Sequence, residues 1–560
     1  MLRFSNDPTV ADRQMRAVIF YLTTFGYIDG DFDASERDFV KSYIEKLVKG
    51  RVASAMPNAE EAIAKELTDR FTTHFHEVFE NIDGHVRELF TESVAGEEDP
   101  EAFVHAKLKL RCFELFQAFD SESQELLVEA MDELIAADGE VHPAEAKFRS
   151  ELLALFDSDL DVELIEDAPP PRTTIHDAVE LHQGSKDHPF FQPFEHHYSL
   201  EQGRIHKQIE ADRKLLDDVM STWDTLRETG DGKLSGARSV EEFTGTPFLD
   251  GHVHVHPLEQ GKAYELTVLG DLHGCYSCLK GAVLQSDFFA KVADYKNDPS
   301  GKAKPILVLL GDYIDRGLFS LNGVLRTVLQ IYTRAPEHVF ILRGNHEYYL
   351  EYKGQVYGGV KPAEAINTLK PHLPIDVFRH YIKLFDAMPT SLLFGRALFV
   401  HGGIPRDSLI KERYQDLSFL NDPDARFQMM WSDPSSAEVI PAALQDQSAR
   451  FPFGRLQALA FLHKLGCHTI VRGHEKENDG FNRVYDDRDL TLLTIFSAGG
   501  KDNGDLPEGS SYRSVTPKAL TMRFQGDSLD ISPWNIDYAT YNDPEYNGFF
   551  RSAPELEHRK

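Results

Sequence analysis

Residues 305–317 read PILVLLGDYIDRG and determine the fold expected for the C-terminal half of this chain. The apolar run Pro305–Leu310 is typical of a buried β-strand, and Asp312 and Asp315 follow it after a glycine. Loops that leave a packed sheet are the usual position of functional side chains, because the sheet holds them in place. The stretch therefore predicts a strand that presents two carboxylates at its end.

Further blocks along the chain repeat this arrangement of an apolar run followed by polar residues. The runs are Tyr264–Leu269, His338–Leu342, Ala397–Val400 and His468–Val471, and the blocks after them are Gly270-Asp-Leu-His-Gly274, Gly344-Asn-His-Glu347, His401-Gly-Gly403 and Arg472-Gly-His474. Together with Gly311-Asp-Tyr-Ile-Asp-Arg-Gly317 they offer Asp, Asn and His but no thiolate. Ligands of this kind suit Mn, Fe or Zn better than a structural sulfur site.

Two divalent ions need a bridging carboxylate, and Asp312 in the middle block is the natural candidate. Ions roughly 3.5–4 Å apart can activate a shared water and hold the attacking and leaving oxygens of a phosphoryl group. The sequence thus predicts hydrolysis of a phosphate ester by direct in-line attack, and it offers no separate case for a covalent intermediate.

The blocks resemble the phosphoprotein phosphatase (PPP) family within the calcineurin-like metallophosphoesterases, over about residues 264–524. Further stretches agree with the family: Phe385-Asp-Ala-Met-Pro389, Trp431-Ser-Asp-Pro434, Phe461-Leu-His-Lys464 and Phe496-Ser-Ala498. The resemblance implies two divalent ions (Mn, Fe or Zn), with Mn²⁺ the ion expected to support activity. It assigns the first ion to Asp271, His273 and Asp312, and the second to Asp312, Asn345, His401 and His474.

The same resemblance assigns catalytic roles. His346 would protonate the leaving oxygen as general acid while a metal-bridging hydroxide attacks in line, and Asp315 would orient His346 and raise its basicity. Arg316 would grip the phosphate oxygens as a fork, and Asn345 is expected to face the substrate as well as the metal.

Two positions depart from the family pattern. A second phosphate-gripping Arg is usual seven residues before the Phe-Gly that corresponds to Phe453-Gly454, but this chain has Gln447 there. Arg450 is the candidate substitute. After Phe496-Ser-Ala498 the chain continues Gly499-Gly-Lys-Asp502, so Lys501 replaces the tyrosine at the active-site rim. We expect Lys501 to add positive charge to the substrate cleft.

The resemblance implies a metal-dependent hydrolase, a protein serine/threonine phosphatase acting on phosphorylated protein or a small phosphoester. A diadenosine tetraphosphate-type nucleotide hydrolase is an alternative, although such enzymes typically lack the second Asp of the motif, present here as Asp315. An alternative of another class is a stress-response interaction protein that acts through its N-terminal domain.

The amino-acid composition indicates the class of protein, its partners and its compartment. The chain of 560 residues is 41% hydrophobic and 27% charged, which is ordinary for globular proteins and long enough for several domains. With 91 acidic and 59 basic residues, its net charge of −32 disfavours nucleic acid and anionic membranes as partners. No apolar run is long enough to span a membrane, and the N-terminus lacks the apolar core of a signal peptide. Four cysteines beside a thiol-free site indicate a reducing cytoplasm.

The first part of the chain has helical periodicity and a degenerate repeat. The copies are Tyr27-Ile-Asp-Gly-Asp-Phe-Asp-Ala-Ser-Glu36 and Ala137-Asp-Gly-Glu-Val-His-Pro-Ala-Glu145, and each predicts a helix start at Asp33 or at His142-Pro143. The pattern resembles TerB-like domains, named from tellurite-resistance proteins. The resemblance suggests a sensing or docking module that binds a protein partner.

The expected fold class is multi-domain, with an N-terminal all-α helical bundle followed by an α/β metallophosphoesterase β-sandwich flanked by helices. The expected domains are a TerB-like helical domain (10–157), an acidic, Pro-rich linker with a helical covering segment (158–258), the catalytic domain (259–536) and a tail (537–560). Within the covering segment, Glu201–Arg227 is predicted to be a helix. His252, His254 and His256 alternate on an extended segment, and we expect them on a solvated or edge-strand face.

Overall fold

The computed structural model describes residues 4–5, 7–28, 32–56, 60–89, 100–117, 119–135, 143–156, 172–181, 185–369, 375–447, 450–526 and 528–551. The chain divides into two compact units. The helical unit comprises residues 1–94, 98–161 and 435–448. The second unit comprises residues 95–97, 162–434 and 449–560 and is called the catalytic unit, after the function expected from its sequence. None of the helices in the described ranges combines the length and apolarity needed to cross a membrane.

Helices come first along the chain, and mixed helices and strands follow them. The helices are α1 (Pro8–Phe25), α2 (Ala34–Ala55), α3 (Glu61–Leu89), α4 (Pro100–Gln117), α5 (Ser121–Ile135), α6 (Pro143–Phe156), α7 (Gln202–Gly230), α8 (Tyr276–Gln285), α9 (Phe288–Asn297), α10 (Arg326–Arg334), α11 (Glu364–Leu369), α12 (Ile375–Ala387), α13 (Asp407–Arg413), α14 (Pro423–Trp431), α15 (Ala442–Gln445) and α16 (Arg455–Leu465). The strands are β1 (Arg172–Ile175), β2 (Phe248–Asp250), β3 (Val253–His256), β4 (Ala263–Leu269), β5 (Lys304–Leu309), β6 (Val339–Ile341), β7 (Tyr349–Tyr352), β8 (Gln355–Gly358), β9 (Ser391–Phe394), β10 (Ala397–Val400), β11 (Thr469–Arg472), β12 (Phe481–Asp486), β13 (Thr491–Ile495), β14 (Lys518–Gln525) and β15 (Ser528–Asn535).

Helices α1–α6 make up most of the helical unit, as their sequence periodicity predicts. Asp33 caps α2 through a capping box, in which its side chain accepts from the backbone of Glu36 and Glu36 reaches back to the backbone of Asp33. Helix α6 begins at Pro143 with Glu145 in its first turn. Both helix starts of the repeat are therefore confirmed, whereas residues 29–31 and 137–142 of the two copies lie outside the described residues.

One stretch of the C-terminal half belongs to the helical unit. Residues 435–448 pack there, and Ala437, Ile440 and Leu444 join the apolar core formed by the helices. The buried carboxylate of Glu114 accepts hydrogen bonds from Ser435 Oγ at 2.5 Å and from the Ser436 backbone at 3.1 Å. This stretch, which includes α15, is held at its start by a polar contact and along its length by apolar packing.

The catalytic unit is built on two mixed sheets and a separate hairpin of β7 and β8. The first sheet has the strand order β1-β15-β14-β4-β5-β6, and the second has the order β12-β13-β11-β10-β9-β3-β2. Alternate side chains of both sheets meet in one apolar cluster, with Leu266 and Ile306 from the first sheet and Phe399 and Val471 from the second. The two sheets therefore pack face to face.

Helices cover the outer faces of this pair of sheets. Beside the first sheet, α7 buries Leu216, Val219 and Trp223 in a core that also contains residues of α8, α10 and α12. Beside the second sheet, a separate core includes Met429 of α14 and Phe461 of α16. The predicted helix over Glu201–Arg227 is present as α7, whereas the linker residues 157–171 lie outside the described residues.

The expectation of a solvated or edge-strand face is wrong for His254 and His256. Strand β3 lies between β2 and β9, so it is not an edge strand, and His254 and His256 are buried. His254 packs edge-on against Phe340, and His256 stacks on Phe394 with 4.4 Å between ring centroids. Burial lowers the pKa of each of these two histidines to about 3, so they are neutral core residues.

Candidate metal centre

The metal-site blocks lie in loops at strand ends, and several of their residues have an unusual backbone. His273, Asp312, Asp315, Arg316 and His474 all have positive φ, between 42° and 72°. Such values are uncommon outside glycine, and they cluster at functional sites. The loops also pass very close to one another, since a Cβ on Gly344 would lie 2.2 Å from Asp312 Oδ1.

Asp312 occupies the centre of the site. Its Oδ2 lies 3.5 Å from His273 Nε2 and 3.9 Å from His346 Nε2, and its Oδ1 lies 3.4 Å from His401 Nε2. Asp271 Oδ2 lies 3.7 Å from the same His273 nitrogen. Two overlapping groups of potential ligands result, His273–Asp312–His346 and Asp271–Asp312–His401, and Asp312 belongs to both.

Backbone carbonyls fix the orientation of two histidine rings. His273 Nδ1 lies 3.0 Å from the carbonyl oxygen of Ile314, and His401 Nδ1 lies 3.0 Å from that of Leu310. Donation from Nδ1 leaves each Nε2 with a lone pair that points at Asp312. In addition, His401 Nε2 lies 3.0 Å from Asn345 Oδ1, so the predicted ligands from three separate blocks meet here.

The donor set fits divalent cations. Asp271 Oδ2 is a buried carboxylate oxygen without a hydrogen-bond partner, although Asp271 Oδ1 accepts from the backbone of His474 at 2.8 Å. An orphaned, buried carboxylate oxygen is costly unless a cation satisfies it. Asp271, His273, Asp312, Asn345 and His401 would therefore hold the ions, with oxygen and imidazole donors suited to Mn, Fe or Zn.

The carboxyl groups of the site have raised pKa values in the absence of a cation. Burial raises the pKa of Asp271 to about 7, and the neighbouring Asp312 adds to the effect. Burial likewise raises the pKa of Asp312 to about 8, with Asp315 acting in the same direction. Bound cations would reverse these shifts, because they stabilise the ionised form.

His346 and Asp315, the residues that the sequence analysis pairs, are in contact. Its Nδ1 lies 2.8 Å from Asp315 Oδ2, while Asp315 Oδ1 accepts from the backbone of Ala365 at 2.7 Å. The other ring nitrogen, Nε2, is directed towards Asp312. Burial lowers the pKa of His346 well below its usual value, and the positive charges of Arg316 and Arg450 act in the same direction.

Arg316 lies beside this pair and is tied to α11. Its backbone N–H donates to Glu364 Oε2 at 2.7 Å, and its Nη1 lies 3.2 Å from the same oxygen. Nη1 also donates to the carbonyl oxygen of Pro362 at 3.2 Å. The residues that begin α11 thus hold both Asp315 and Arg316.

Arg450, the candidate second phosphate ligand, reaches the site. Its Nη1 lies 2.5 Å from His474 Nε2 and 3.6 Å from Asp433 Oδ2. His474 Nε2 also lies 3.1 Å from the carbonyl oxygen of Trp431. Gln447, at the position of the usual arginine, belongs to the helical unit, where it accepts from Lys109 at 3.2 Å.

Lys501 has an exposed side chain, and its backbone takes part in a loop contact. Its carbonyl oxygen accepts from Arg513 Nη1 at 2.9 Å. The role of Lys501 in adding charge to the cleft stays a prediction.

Two residues that contribute to the site were missed at the level of sequence. The fully buried carboxylate of Glu347 accepts from the backbone N–H groups of Asp312, Tyr313 and Gly344, at 2.8–3.0 Å, and so joins two of the loops. The ring of Tyr512 lies 5.2 Å from that of His273. Glu347 ends a quoted motif and could have been considered, but no local pattern marks Tyr512.

Comparisons with known proteins agree with this geometry. Residues 264–478 match the family model described as calcineurin-like phosphoesterase. A probable serine/threonine-protein phosphatase of Encephalitozoon cuniculi is 25% identical over 333 residues, which are 59% of this chain and 62% of that protein. The serine/threonine-protein phosphatase 4 catalytic subunit of Kluyveromyces lactis is 28% identical over 237 residues, which are 42% of this chain and 68% of that protein. The match thus spans about two thirds of the length of these relatives.

Among solved structures, a protein serine/threonine phosphatase from Saccharomyces cerevisiae aligns with a TM-score of 0.37 and 19% identity. The alignment covers 58% of this chain and 90% of that one. A cold-active protein-tyrosine phosphatase of a psychrophilic Shewanella aligns over 50% of this chain and 82% of that one, with a TM-score of 0.27 and 15% identity.

Proposed function

We propose that this chain, a hydrolase whose residues 264–478 form a calcineurin-like metallophosphoesterase domain, is a metal-dependent protein serine/threonine phosphatase. The observation that carries the proposal is the position of Asp312 within 3.4–3.9 Å of three histidine nitrogens, next to the His346–Asp315 pair. A carboxylate shared by two ligand groups suits a pair of divalent ions, which can hold the attacking and leaving oxygens in phosphoester hydrolysis.

Different side chains would bind the phosphate, donate the proton and orient the proton donor. Bound divalent ions would supply an activated water and polarise the phosphoryl oxygens. Arg316 and Arg450 bind the phosphate oxygens from two sides, as forks of N–H donors. A phosphate dianion between them offsets the positive charges that lower the pKa of His346. His346 Nε2 then delivers a proton to the leaving oxygen, while Asp315 holds the opposite ring nitrogen.

Asp315 also favours a phosphomonoester of a protein over a dinucleotide. The buried Asp315 carboxylate bonds His346 through one oxygen and the start of α11 through the other, so it links the acid to the loop that carries Arg316. The related proteins are themselves named serine/threonine phosphatases, which supports the same substrate class. Hydrolysis of a nucleotide polyphosphate remains the alternative that an experiment must exclude.

The test compares Mn²⁺-dependent turnover of a phosphothreonine peptide with that of diadenosine tetraphosphate, for the wild type and Asp312→Asn. We expect the peptide to be the better substrate and the variant to lose at least about 10³-fold in kcat, because the shared carboxylate is removed. Asp489→Asn, at an exposed turn of the same unit, is the matched control. Preference for the dinucleotide would contradict the proposal and place the chain among nucleotide hydrolases.

The helical unit is proposed to bind a protein partner and to be TerB-like. The proposal rests on the repeated Asp-Gly motif and on the capped start of α2. A chain that lacks residues 1–160 should lose the partner captured by the full chain. The truncated chain needs serine at Ile440 and Leu444, since both pack among the deleted helices. Unchanged partner capture and activity in cells would contradict the proposal.

A further inference from the structure

The hairpin of β7 and β8 lies between the loop that carries His346 and the start of α11. Strand β7 begins three residues after His346, so its first Cα atom lies within about 11 Å of that of His346. At the base of the hairpin, the backbone N–H of Gly359 donates to the carbonyl oxygen of Tyr348 at 2.7 Å. Further along the chain, Glu364 accepts hydrogen bonds from Arg316. The hairpin is therefore attached at both ends to residues of the proposed active site.

The hydrogen-bond pattern leaves the outer edge of β7 unpaired. The two strands are antiparallel, with Glu351 opposite Val356. In such a ladder, hydrogen-bonded pairs alternate with pairs whose N–H and C=O groups point away from the partner strand. The bond between Gly359 and Tyr348 sets this alternation, so the backbone groups of Tyr349 and Glu351 point outward. In the part of the chain that the structure describes, neither backbone has a hydrogen bond to a residue beyond the hairpin.

A groove of about 450 Å³ runs along this unpaired edge. Its walls are β7 and one side of α12, and they include Tyr349, Leu350 and Ile382. Consecutive residues of a strand point to opposite faces, so a groove that touches several in a row lies at the edge of the strand. The unpaired backbone groups of β7 are thus accessible from the groove.

Most of the charged side chains that line the groove are paired. Glu351 Oε1 lies 2.8 Å from Arg379 Nη2, and Asp386 Oδ1 lies 3.0 Å from Arg343 Nη2. Lys383 is the remaining charged residue of the lining, and it is exposed. The groove therefore offers backbone groups and apolar surface more than unpaired charge. Such a surface suits an extended peptide, which binds a strand edge through its main chain.

The hairpin has apolar side chains on both of its faces. On the inner face, the ring of Tyr349 lies 5.0 Å from that of Phe378 and belongs to the core. On the outer face, Leu350, Tyr352 and Tyr357 are 45%, 63% and 49% exposed. The solvated face of an antiparallel pair is ordinarily polar. Three large apolar side chains on that face form a surface for a partner segment.

The position of the edge identifies its occupant. An extended peptide advances about 3.3 Å per residue, so a residue roughly three positions from a phosphorylated side chain at His346 reaches β7. A segment of the same substrate is therefore delivered to the edge whenever its phosphate is bound. A second copy of this chain has no comparable link to the reaction.

We propose that the unpaired edge of β7 is the docking site for the substrate polypeptide. An extended segment next to the phosphorylated residue adds to β7 as a further strand, and its apolar side chains cover Leu350 and Tyr352. Main-chain hydrogen bonds to Tyr349 and Glu351 supply affinity, and the alternate side chains supply specificity. The inference rests on the proposed function, because strand addition requires a substrate with a polypeptide backbone. It deepens that function by naming the substrate class, an extended segment with apolar residues beside the phosphate.

The first test changes only the substrate. A phosphothreonine peptide of about eleven residues with flanking valines is assayed with the Mn²⁺-loaded full chain, beside derivatives that are N-methylated at one backbone nitrogen each. Strand addition uses the N–H of every second residue of the peptide. KM should therefore rise about fivefold to tenfold at alternating positions of the docked stretch and change less than about twofold at the positions between them.

The second test changes the edge of the strand. Glu351→Pro removes an N–H that points outward and breaks no hydrogen bond of the hairpin. Val356→Pro is the matched control, because Val356 lies opposite Glu351 and its N–H points to the other edge. Glu351→Ala is the control for loss of the pair with Arg379. The ratio of kcat/KM for the peptide to kcat/KM for para-nitrophenyl phosphate should fall about tenfold in Glu351→Pro and less than about threefold in both controls.

The outcomes separate the inference from the function on which it rests. If all N-methylated peptides have the same KM, or if Glu351→Pro lowers the ratio no more than Val356→Pro does, the inference is overturned. If Glu351→Pro changes the oligomeric state of the chain instead, the edge binds a second copy and the inference is also overturned. A wild type that prefers diadenosine tetraphosphate to every peptide overturns the proposed function and the inference together. A wild type that prefers the peptide without alternation overturns the inference alone, and because the peptide series needs no variant, the result does not depend on how the proline variants fold.

Discussion

The helical unit and the metal centre both bury charged side chains, but they arrange them in opposite ways. In the helical unit, Asp83 accepts hydrogen bonds from Tyr27 and Arg37, each at 2.5 Å. At the metal centre, Asp271 and Asp312 lie next to each other, and the charge of Asp312 helps to raise the pKa of Asp271. Opposite charges in contact stabilise a fold, whereas buried like charges mark a site that binds a cation.

Unfolding of the two units can be followed by different spectroscopic signals. The chain has three tryptophans, Trp223, Trp431 and Trp534, and all of them belong to the catalytic unit. Tryptophan fluorescence therefore follows unfolding of the catalytic unit, while far-ultraviolet circular dichroism also follows the helical unit. The effect of a substitution on each unit can therefore be measured in the same sample.

The largest effect is expected where the charges are catalytic. His346→Asn should lower kcat by about 10²- to 10⁴-fold, because His346 is the proposed proton donor to the leaving oxygen. His380 supplies a matched control, since its Nε2 pairs with Asp217 at 2.9 Å on the exposed side of α12. His380→Asn should change kcat less than about twofold. An equal loss of kcat in His346→Asn and His380→Asn would contradict a catalytic role of the His346–Asp315 pair.

The stability of the metal-free protein should depend on pH through the same carboxyl groups. Folding raises the pKa of Asp271 to about 7, and of Asp312 and Glu347 to about 8, through burial and neighbouring charge. The folded state therefore retains protons that the unfolded chain has lost. The contribution of these three groups to stability is complete below about pH 4 and is lost as pH rises through 7 to 8.

The measurement is urea unfolding of the metal-free protein by tryptophan fluorescence, between pH 5.5 and 8.5. We expect a loss of several kcal/mol over that range, smaller than the sum for three independent groups because the neighbouring carboxyl groups titrate together. Saturating Mn²⁺ should abolish most of the loss, and Asp312→Asn should reduce it without metal. A metal-free protein that becomes more stable as pH rises would contradict the assigned direction of the pKa shifts.

The sequence predicted the metal-site blocks because their chemistry is local. A strand ends, a polar residue follows, and Asp271, Asp312 and His401 are thereby brought to one end of packed sheets. The start of α2 was predictable for a similar reason, since Asp33 and Glu36 cap the helix within one turn. Short-range signals of this kind require no knowledge of distant contacts.

Other features depend on contacts that no local pattern carries. Alternation placed His254 and His256 on one face of a strand, but the packing of the two sheets decided that the face is buried. Glu347 acts on backbone groups of another loop. Tyr512 reaches the site only because its loop folds back on itself. Side-chain roles that depend on distant backbone could not be predicted.

Removing a paired charge from the helical unit tests the other half of the comparison. Asp83→Ala should destabilise that unit by about 2–3 kcal/mol, because the buried Tyr27 and the half-buried Arg37 lose the carboxylate that accepts a hydrogen bond from each of them. Asp69→Ala, an exposed position on the same helix, is the control. The loss should appear in circular dichroism, with kcat and the tryptophan transition changed little. A fall in kcat as large as the loss of helical signal would mean that the helical unit sustains catalysis.

The smallest effects are expected at Arg450 and Lys501, the two cationic residues that stand in for residues of the family pattern. Arg450→Ala should lower kcat/KM about tenfold, because Arg450 lies 2.5 Å from His474 and is directed into the site. Lys501→Ala should change kcat/KM less than about twofold, since the side chain is exposed and the carbonyl that braces Arg513 is kept. Arg455→Ala is the control for loss of a nearby guanidinium, as Arg455 pairs with Asp487 at 2.6 Å. A larger loss of kcat/KM for Lys501→Ala than for Arg450→Ala would contradict this prediction. It would mean that the exposed charge of Lys501 matters more for substrate binding than Arg450 does, and that the second phosphate ligand is an exposed residue.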